Sequence, residues 1–222
     1  MNVTGAFSNG HSNTVEVDAS GIGGSSLTIG GALTNNGYLY IGNTSLAKAT
    51  TVKAASLAGT GTLYMNEGAV ATATLDITGA APTTLNGIYQ LSGNALLEFG
   101  SGGVTAIGSG AQVTLNGSKA LVALSTAPTT DSALTGLASN AGILVLENAP
   151  ALTTTVGLDN VYQLEVDEIG GGGSSLKIGG TLTNEYYLYI GNTAITAATT
   201  VSAAALSNYG TVYLYSGAAA AA

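Results

Sequence analysis

The chain has 222 residues, enough to bury a sizeable core, yet only 7% are charged and the net charge is −8. It has no arginine and four lysines (Lys48, Lys53, Lys119 and Lys177), so it lacks the cationic surface that a nucleic-acid backbone or an anionic membrane demands. It has no cysteine, which excludes disulfides and thiolate metal sites.

With 45% hydrophobic residues in regular spacing, the composition describes an ordered chain solvated by hydroxyls and amides rather than charges. No apolar run approaches the roughly 20 residues of a membrane span. Met1-Asn2-Val3-Thr4 lacks the basic start and apolar stretch of a signal peptide. Any targeting signal is expected outside this segment, and no membrane insertion by it is expected.

From the start of the chain, His11 follows Asn9-Gly10 in a polar turn and is the one histidine. In Val15-Glu16-Val17-Asp18 the alternation predicts a strand with both carboxylates outward, roughly 6–7 Å apart. Glu165 and Asp167 repeat the arrangement, with Glu168 added. Such a pair has the spacing for glycoside hydrolysis or for a hard cation. A flat strand supplies neither a cleft nor unequal environments, so solvated acids that discourage edge pairing are expected.

Leu27-Thr28-Ile29 is a short alternating strand. Next comes Leu33-Thr34-Asn35-Asn36-Gly37-Tyr38-Leu39-Tyr40-Ile41-Gly42-Asn43, a turn, a strand and a turn. Ser45-Leu46-Ala47-Lys48 matches the S-x-x-K spelling of serine acyl-enzymes, but its companion motifs are absent. The later copy reads Ala194-Ile195-Thr196-Ala197 there, so a chance match is expected. Leu57 to Asn66 is a degenerate copy of the turn–strand–turn unit, 24 residues on. Leu75-Asp76-Ile77, Val113-Thr114-Leu115 and Leu144-Val145-Leu146 continue the alternation. Leu85 to Leu91 recurs as Leu158 to Leu164, 73 residues later. Residues 125–135, with Pro128 and Asp131, read as a looser loop. The run Gly170-Gly171-Gly172-Gly173 lacks nucleotide-cradle spacing and is expected to be a turn of positive φ. The alanine run 218–222 carries no pattern and no expected function.

Residues 15–69 align without a gap to residues 164–218, with 34 identities in 55 positions. Offsets of 24, 73 and 149 residues fit one, three and six turns of roughly 24–25 residues, a solenoid period. Glycine, 33 residues in all, interrupts every stretch that could be helical. The expectation is one solenoid over residues 1–222, part of a longer array, with residues 15–69 and 164–218 as internal copies. About nine turns at the spacing of paired strands make a rod of roughly 40–45 Å.

The alternation sends Leu39 and Ile41 inward and the tyrosines outward. Tyr38, Tyr40, Tyr64, Tyr187, Tyr189, Tyr213 and Tyr215 are the candidate interaction surface. Tyr40 should stack over Tyr64, and Tyr189 over Tyr213. Such a stripe suits a ladder that stabilises its own sheet, a lateral protein contact or a glycan-stacking surface. No catalytic, cofactor-binding or metal-binding residues are singled out.

The recurring L-T-N-x-G-x-L-x-I-G-N and G-G-S-S-L-x-I-G-G-x-L-T-N resemble the passenger repeats of bacterial autotransporter and filamentous-haemagglutinin-like surface adhesins. The resemblance implies a right-handed parallel β-helix, secreted to the cell surface and acting without enzymatic activity in adhesion, aggregation or biofilm. Its partners would be further copies of itself, other surface proteins or glycans. The tyrosines depart from that pattern, at outer positions where such repeats often carry Thr, Asn or Asp, and favour a packed outer face. An extracellular filament subunit joined through solenoid ends and the tyrosine stripe is the alternative. A polysaccharide-processing β-helix enzyme would need a cleft of Asp, Glu, Arg or His, which these scattered acids do not supply. The spellings at Asn2, Asn43 and Asn116 match glycan acceptors.

Overall fold

The computed structural model describes residues 1–66, 70–148 and 151–217. The alanine run 218–222 lies outside the described residues. Short alternating runs have too little surface to stand alone, so each is stabilised by a copy of itself one turn on. The described residues form 27 strands and one 3-10 helix, Ser132–Leu134. Neighbouring strands pair in parallel on every face.

The result is a parallel β-solenoid of nine turns, each contributing one strand to each of three faces. The third face is one nine-stranded sheet. Its strands are Thr14–Val17, Tyr38–Ile41, Thr62–Met65, Ile88–Ser92, Gln112–Asn116, Ile143–Glu147, Gln163–Val166, Tyr187–Ile190 and Thr211–Leu214, in turns one to nine. The first face is split into a six-stranded sheet ending at Leu121–Leu124 and a three-stranded sheet beginning at Leu152–Thr153. The second face is split between Ser56–Ala58 and Thr84–Leu85. Among the described residues no helix is long and apolar enough to cross a membrane.

In-register pairing places like on like. Leu39 lies over Leu63, then Tyr89 and Val113, all buried. Tyr89 faces inward, and burial pushes its phenol up to about 12. The match of Leu85–Leu91 to Leu158–Leu164 does not hold in register, because Leu85 shares its column with Asn160 and not with Leu158. Tyr162 therefore sits at an outer corner rather than in the inward place of Tyr89.

On the third face three turns depart from the common 24-residue step: Thr62 pairs with Ile88, a step of 26 residues, Ile143 with Gln163, a step of 20, and Gln112 with Ile143, a step of 31. The excess falls on the predicted loop at 125–135, which is ordered rather than loose. The Asp131 carboxylate accepts the Val122 amide at 2.8 Å, and the Ser132 hydroxyl accepts the Leu124 amide at 2.7 Å. These two side chains satisfy the backbone of Leu121–Leu124 where the first-face sheet stops.

An asparagine column, buried at Asn140, Asn160 and Asn184 and ending at the exposed Asn208, lines the corner between the second and third faces. Asn140, Asn160, Asn184 and Asn208 hand Nδ2 to Oδ1 along the axis at 2.9, 2.8 and 2.7 Å. The second amide proton of Asn140, Asn160 and Asn184 goes to the carbonyls of Gln163, Tyr187 and Thr211. A shorter pair, Asn9 and Asn35, does the same at 2.8 Å. Gly59, Leu85 and Ile107 interrupt the column between them, and Asn140 Oδ1 consequently ends without a partner.

Replacing Asn160 with Ala breaks two links of this column and should cost roughly 1–3 kcal/mol in urea unfolding. Asp131 is buried, and its Oδ2 has no partner. Burial raises its pKa from 3.8 to about 7, against a lowering by the Val122 amide. The folded state thus holds this proton more tightly than the unfolded chain. Stability is full below the unfolded value and declines as pH rises through the folded one. Asp131→Asn should remove that decline, measured as the change in Tm between acid and mildly alkaline buffer; an unchanged slope would refute it.

Candidate interaction surface

The outward positions of the third face carry the seven predicted tyrosines. Tyr38 and Tyr40 lie in turn two, Tyr64 in turn three, Tyr187 and Tyr189 in turn eight, and Tyr213 and Tyr215 in or just after turn nine. Tyr40 stacks on Tyr64 with ring centroids 4.8 Å apart and an interplanar angle of 10°. Tyr189 stacks on Tyr213 at 4.8 Å and 7°. Both stacks stand where the spacing predicted them. Tyr187 leans on both members of the second stack, and Tyr215 runs parallel to Tyr213 at 6.2 Å.

The two groups do not merge. Gln90, Thr114, Val145 and Glu165 occupy the column between them. Each group has the same three rungs, Glu16-Tyr40-Tyr64 and Glu165-Tyr189-Tyr213. Because the rings stack along the rod axis, one face of each ring covers its partner. What they offer to solvent is ring edges and hydroxyls. Burial first, and then Tyr213, Tyr187, Glu168 and Glu165, hold the Tyr189 phenol above its ordinary value.

Tyr162 and Tyr186 belong to the second group, although the alternation passes them over. They stack at 5.4 Å and 11°, and Tyr186 touches Tyr187 at 4.0 Å. Both precede a strand at the corner, so the period-two pattern does not reach them. The Tyr186-Tyr187 doublet, where the first copy has Gly37-Tyr38, was the available signal.

Glu16 is exposed, as expected of a solvated acid, but Asp18, Asp167 and Glu165 depart from the expected solvated pairs. Asp18 and Asp167 have φ of 55° and 57°, which turns the chain and carries their side chains off the outer face. Asp167 is fully buried. It accepts the Ser174 amide and hydroxyl at 2.8 Å each and the Thr199 hydroxyl at 2.6 Å. Asp18 takes the equivalent bonds from Ser25 and Thr50. Burial would raise the Asp18 pKa, but the bonds from Thr50 and Ser25 outweigh it and hold the carboxyl below its ordinary value. Glu165 is also buried rather than solvated and accepts a bond from Gln163. Glu147 is pushed up to about 7 by burial and by the charges of Glu165, Asp167 and Glu168. Among the described residues no three or more His, Cys, Asp or Glu side chains are grouped to hold a metal ion.

The asparagine of I-G-N completes this corner. Asn43 donates to the carbonyls of Asp18 and Gly21 at 2.6 and 3.1 Å, and Asn192 to those of Asp167 and Gly170 at 2.8 and 3.1 Å. The amide of Asn43 is thereby taken up by the corner rather than free as a glycan acceptor. Gly172 has φ 86°, and a Cβ there would lie 2.2 Å from the Ala197 carbonyl. The glycine run is the expected turn. The Ser45 amide binds Asn43 Oδ1, and Leu46 is buried between Ser45 and Lys48, so S-x-x-K spells a corner. His11 is an exposed turn residue bonded to Ser12.

No protein-family model, curated protein or solved structure matches the chain.

Asp167→Ala should lower stability by roughly 2–4 kcal/mol in denaturant unfolding, since four donors, the Asn148 amide among them, lose a buried acceptor. Asp18→Ala, at a partly exposed corner, should cost less. Equal losses would contradict the difference in burial.

Proposed function

We propose that the chain is a non-enzymatic adhesive rod of a bacterial cell surface or secreted protein, working in adhesion, aggregation or biofilm. The observation that carries this reading is the pair of tyrosine ladders on the one uninterrupted sheet. Many weak contacts repeated along a stiff support gain strength by avidity rather than by any single site. Aromatic residues presenting both a ring edge and a hydroxyl are suited to such contacts. The resemblance of the repeats to surface-adhesin passengers points the same way.

A filament subunit is the second reading. Leu206, Val212 and Leu214 in turn nine are exposed, which favours contact with a further solenoid surface. Electron microscopy of the purified protein separates the two: isolated rods at high concentration remove the filament, and ordered end-to-end assemblies remove the simple rod.

Replacing Tyr38, Tyr40, Tyr187 and Tyr189 together with Thr should leave the β-sheet circular dichroism unchanged. It should also lower aggregation and attachment of protein-coated beads several-fold. Unaltered attachment with an intact fold would reduce the ladders to a means of stabilising their own sheet.

A further inference from the structure

An open groove of about 300 Å³ runs along the corner between the second and third faces, over turns four to seven. Its floor is the outward column Ile88, Gln112 and Ile143, in register from turn to turn. Ser109 stands on one side, and Tyr162 closes the end towards turn seven. The floor continues the outward column of Tyr38 and Tyr187 between the two tyrosine groups, and Tyr162 is the first ring of the second group.

Tyr162 is the first ring of its stack. Tyr186, one turn further on, covers one face at 5.4 Å with the rings nearly parallel. The remaining groove residues all lie in turns four to six, on the opposite side of the ring. The free face of Tyr162 is therefore turned into the groove, unlike the inner faces of the Tyr40–Tyr64 and Tyr189–Tyr213 stacks. The electron-rich face of an aromatic ring attracts polarised C–H groups laid flat against it.

The polar groups of the groove are neutral. Gln112 Nε2 donates to Thr114 Oγ1 at 3.0 Å, which holds the amide in place and leaves Oε1 as an acceptor. Ser109 is exposed and supplies a hydroxyl. No lysine, histidine or carboxylate lines the groove. The chain has a net charge of −8 and no arginine, so an anionic ligand meets repulsion with nothing to offset it. A cation would find no carboxylate there. The chemistry that remains is a neutral molecule with one apolar face and a rim of hydroxyls.

We propose that this groove is a subsite for a neutral glycan, with a pyranose ring seated on the free face of Tyr162 and its hydroxyls bonded to Gln112 and Ser109. Successive turns of the groove floor lie about 4.8 Å apart. That step is close to the rise per sugar in an extended chain, so successive sugars can meet successive turns.

The test uses the whole chain with cellotetraose, mannotetraose, chitotetraose and maltotetraose, and a hyaluronan tetrasaccharide as the anionic control. Binding is read by saturation-transfer NMR and calorimetry. At least one neutral tetrasaccharide should bind with millimolar affinity, and the anionic one should not. Tyr162→Ala should weaken binding at least about tenfold, Tyr162→Phe should retain it, and Ile143→Glu should abolish it. Tyr209→Ala, an exposed tyrosine of turn nine outside the groove and outside the ladders, should bind as the parent does. Unchanged thermal unfolding of each variant shows that it is folded. No binding by any neutral probe, equal binding of the anionic one, or full binding by Tyr162→Ala would overturn the proposal. Bead attachment is scored separately: saccharide binding without attachment sinks the adhesive reading alone, and attachment without saccharide binding sinks this subsite alone.

Discussion

In-register parallel stacking governs this molecule. Within each sheet a strand side chain has its column-mate directly above and below it, at the spacing of paired strands. A residue type is tolerated only if it packs well against copies of itself or near relatives. Leucine, valine and isoleucine satisfy that inside. Asparagine satisfies it by handing one amide proton along the axis and the other to a backbone carbonyl. Tyrosine satisfies it by ring stacking. Charges do not, because a column of like charges repels itself. The first face shows the effect: Lys53 pairs with Asp76 at 2.7 Å. Glu98, next in the column, has its pKa raised by burial and by Asp76, against the pull of Lys53. The low charge content is a consequence of the architecture rather than an independent property.

Much of this was legible in the residues. The period of Leu39, Leu63 and Leu188 specifies the solenoid, and their alternation with Tyr40, Tyr64 and Tyr189 specifies which side faces out. The acidic corner was misread because alternation assumes that a strand continues. At Asp18 and Asp167 it does not, since a positive φ ends the strand and redirects the side chain. The internal repeat held the missing clue. Asp18, Ser25 and Thr50 recur as Asp167, Ser174 and Thr199 at unchanged spacing, as a hydrogen-bonded set requires. Tyr162 was obscured differently. Its neighbours spell almost the same sequence as those of the inward Tyr89, and only the register of the paired strands separates the two.

The third face differs from the other two in being uninterrupted. It is also the face that carries the tyrosine ladders. A surface that works through repetition needs its rungs held at constant spacing and orientation, and an unbroken sheet supplies both. The irregularities, including the 31-residue and 20-residue steps, are absorbed at the edges of the other faces. The outward grid is disturbed only between the two ladders.

The breaks in those other faces have a mechanical meaning. The second face is interrupted between turns three and four, and the first between turns six and seven. Among the described residues, two strand ladders cross the rod at each of these levels instead of three. A pull along the axis is shared among the ladders present, so these two seams are where the rod yields first. They divide it into three blocks of three turns, and the outer two blocks contain the two internal copies. Under tension such a rod would lengthen in three-turn increments, as a chain of fuses does, rather than fray evenly from its ends.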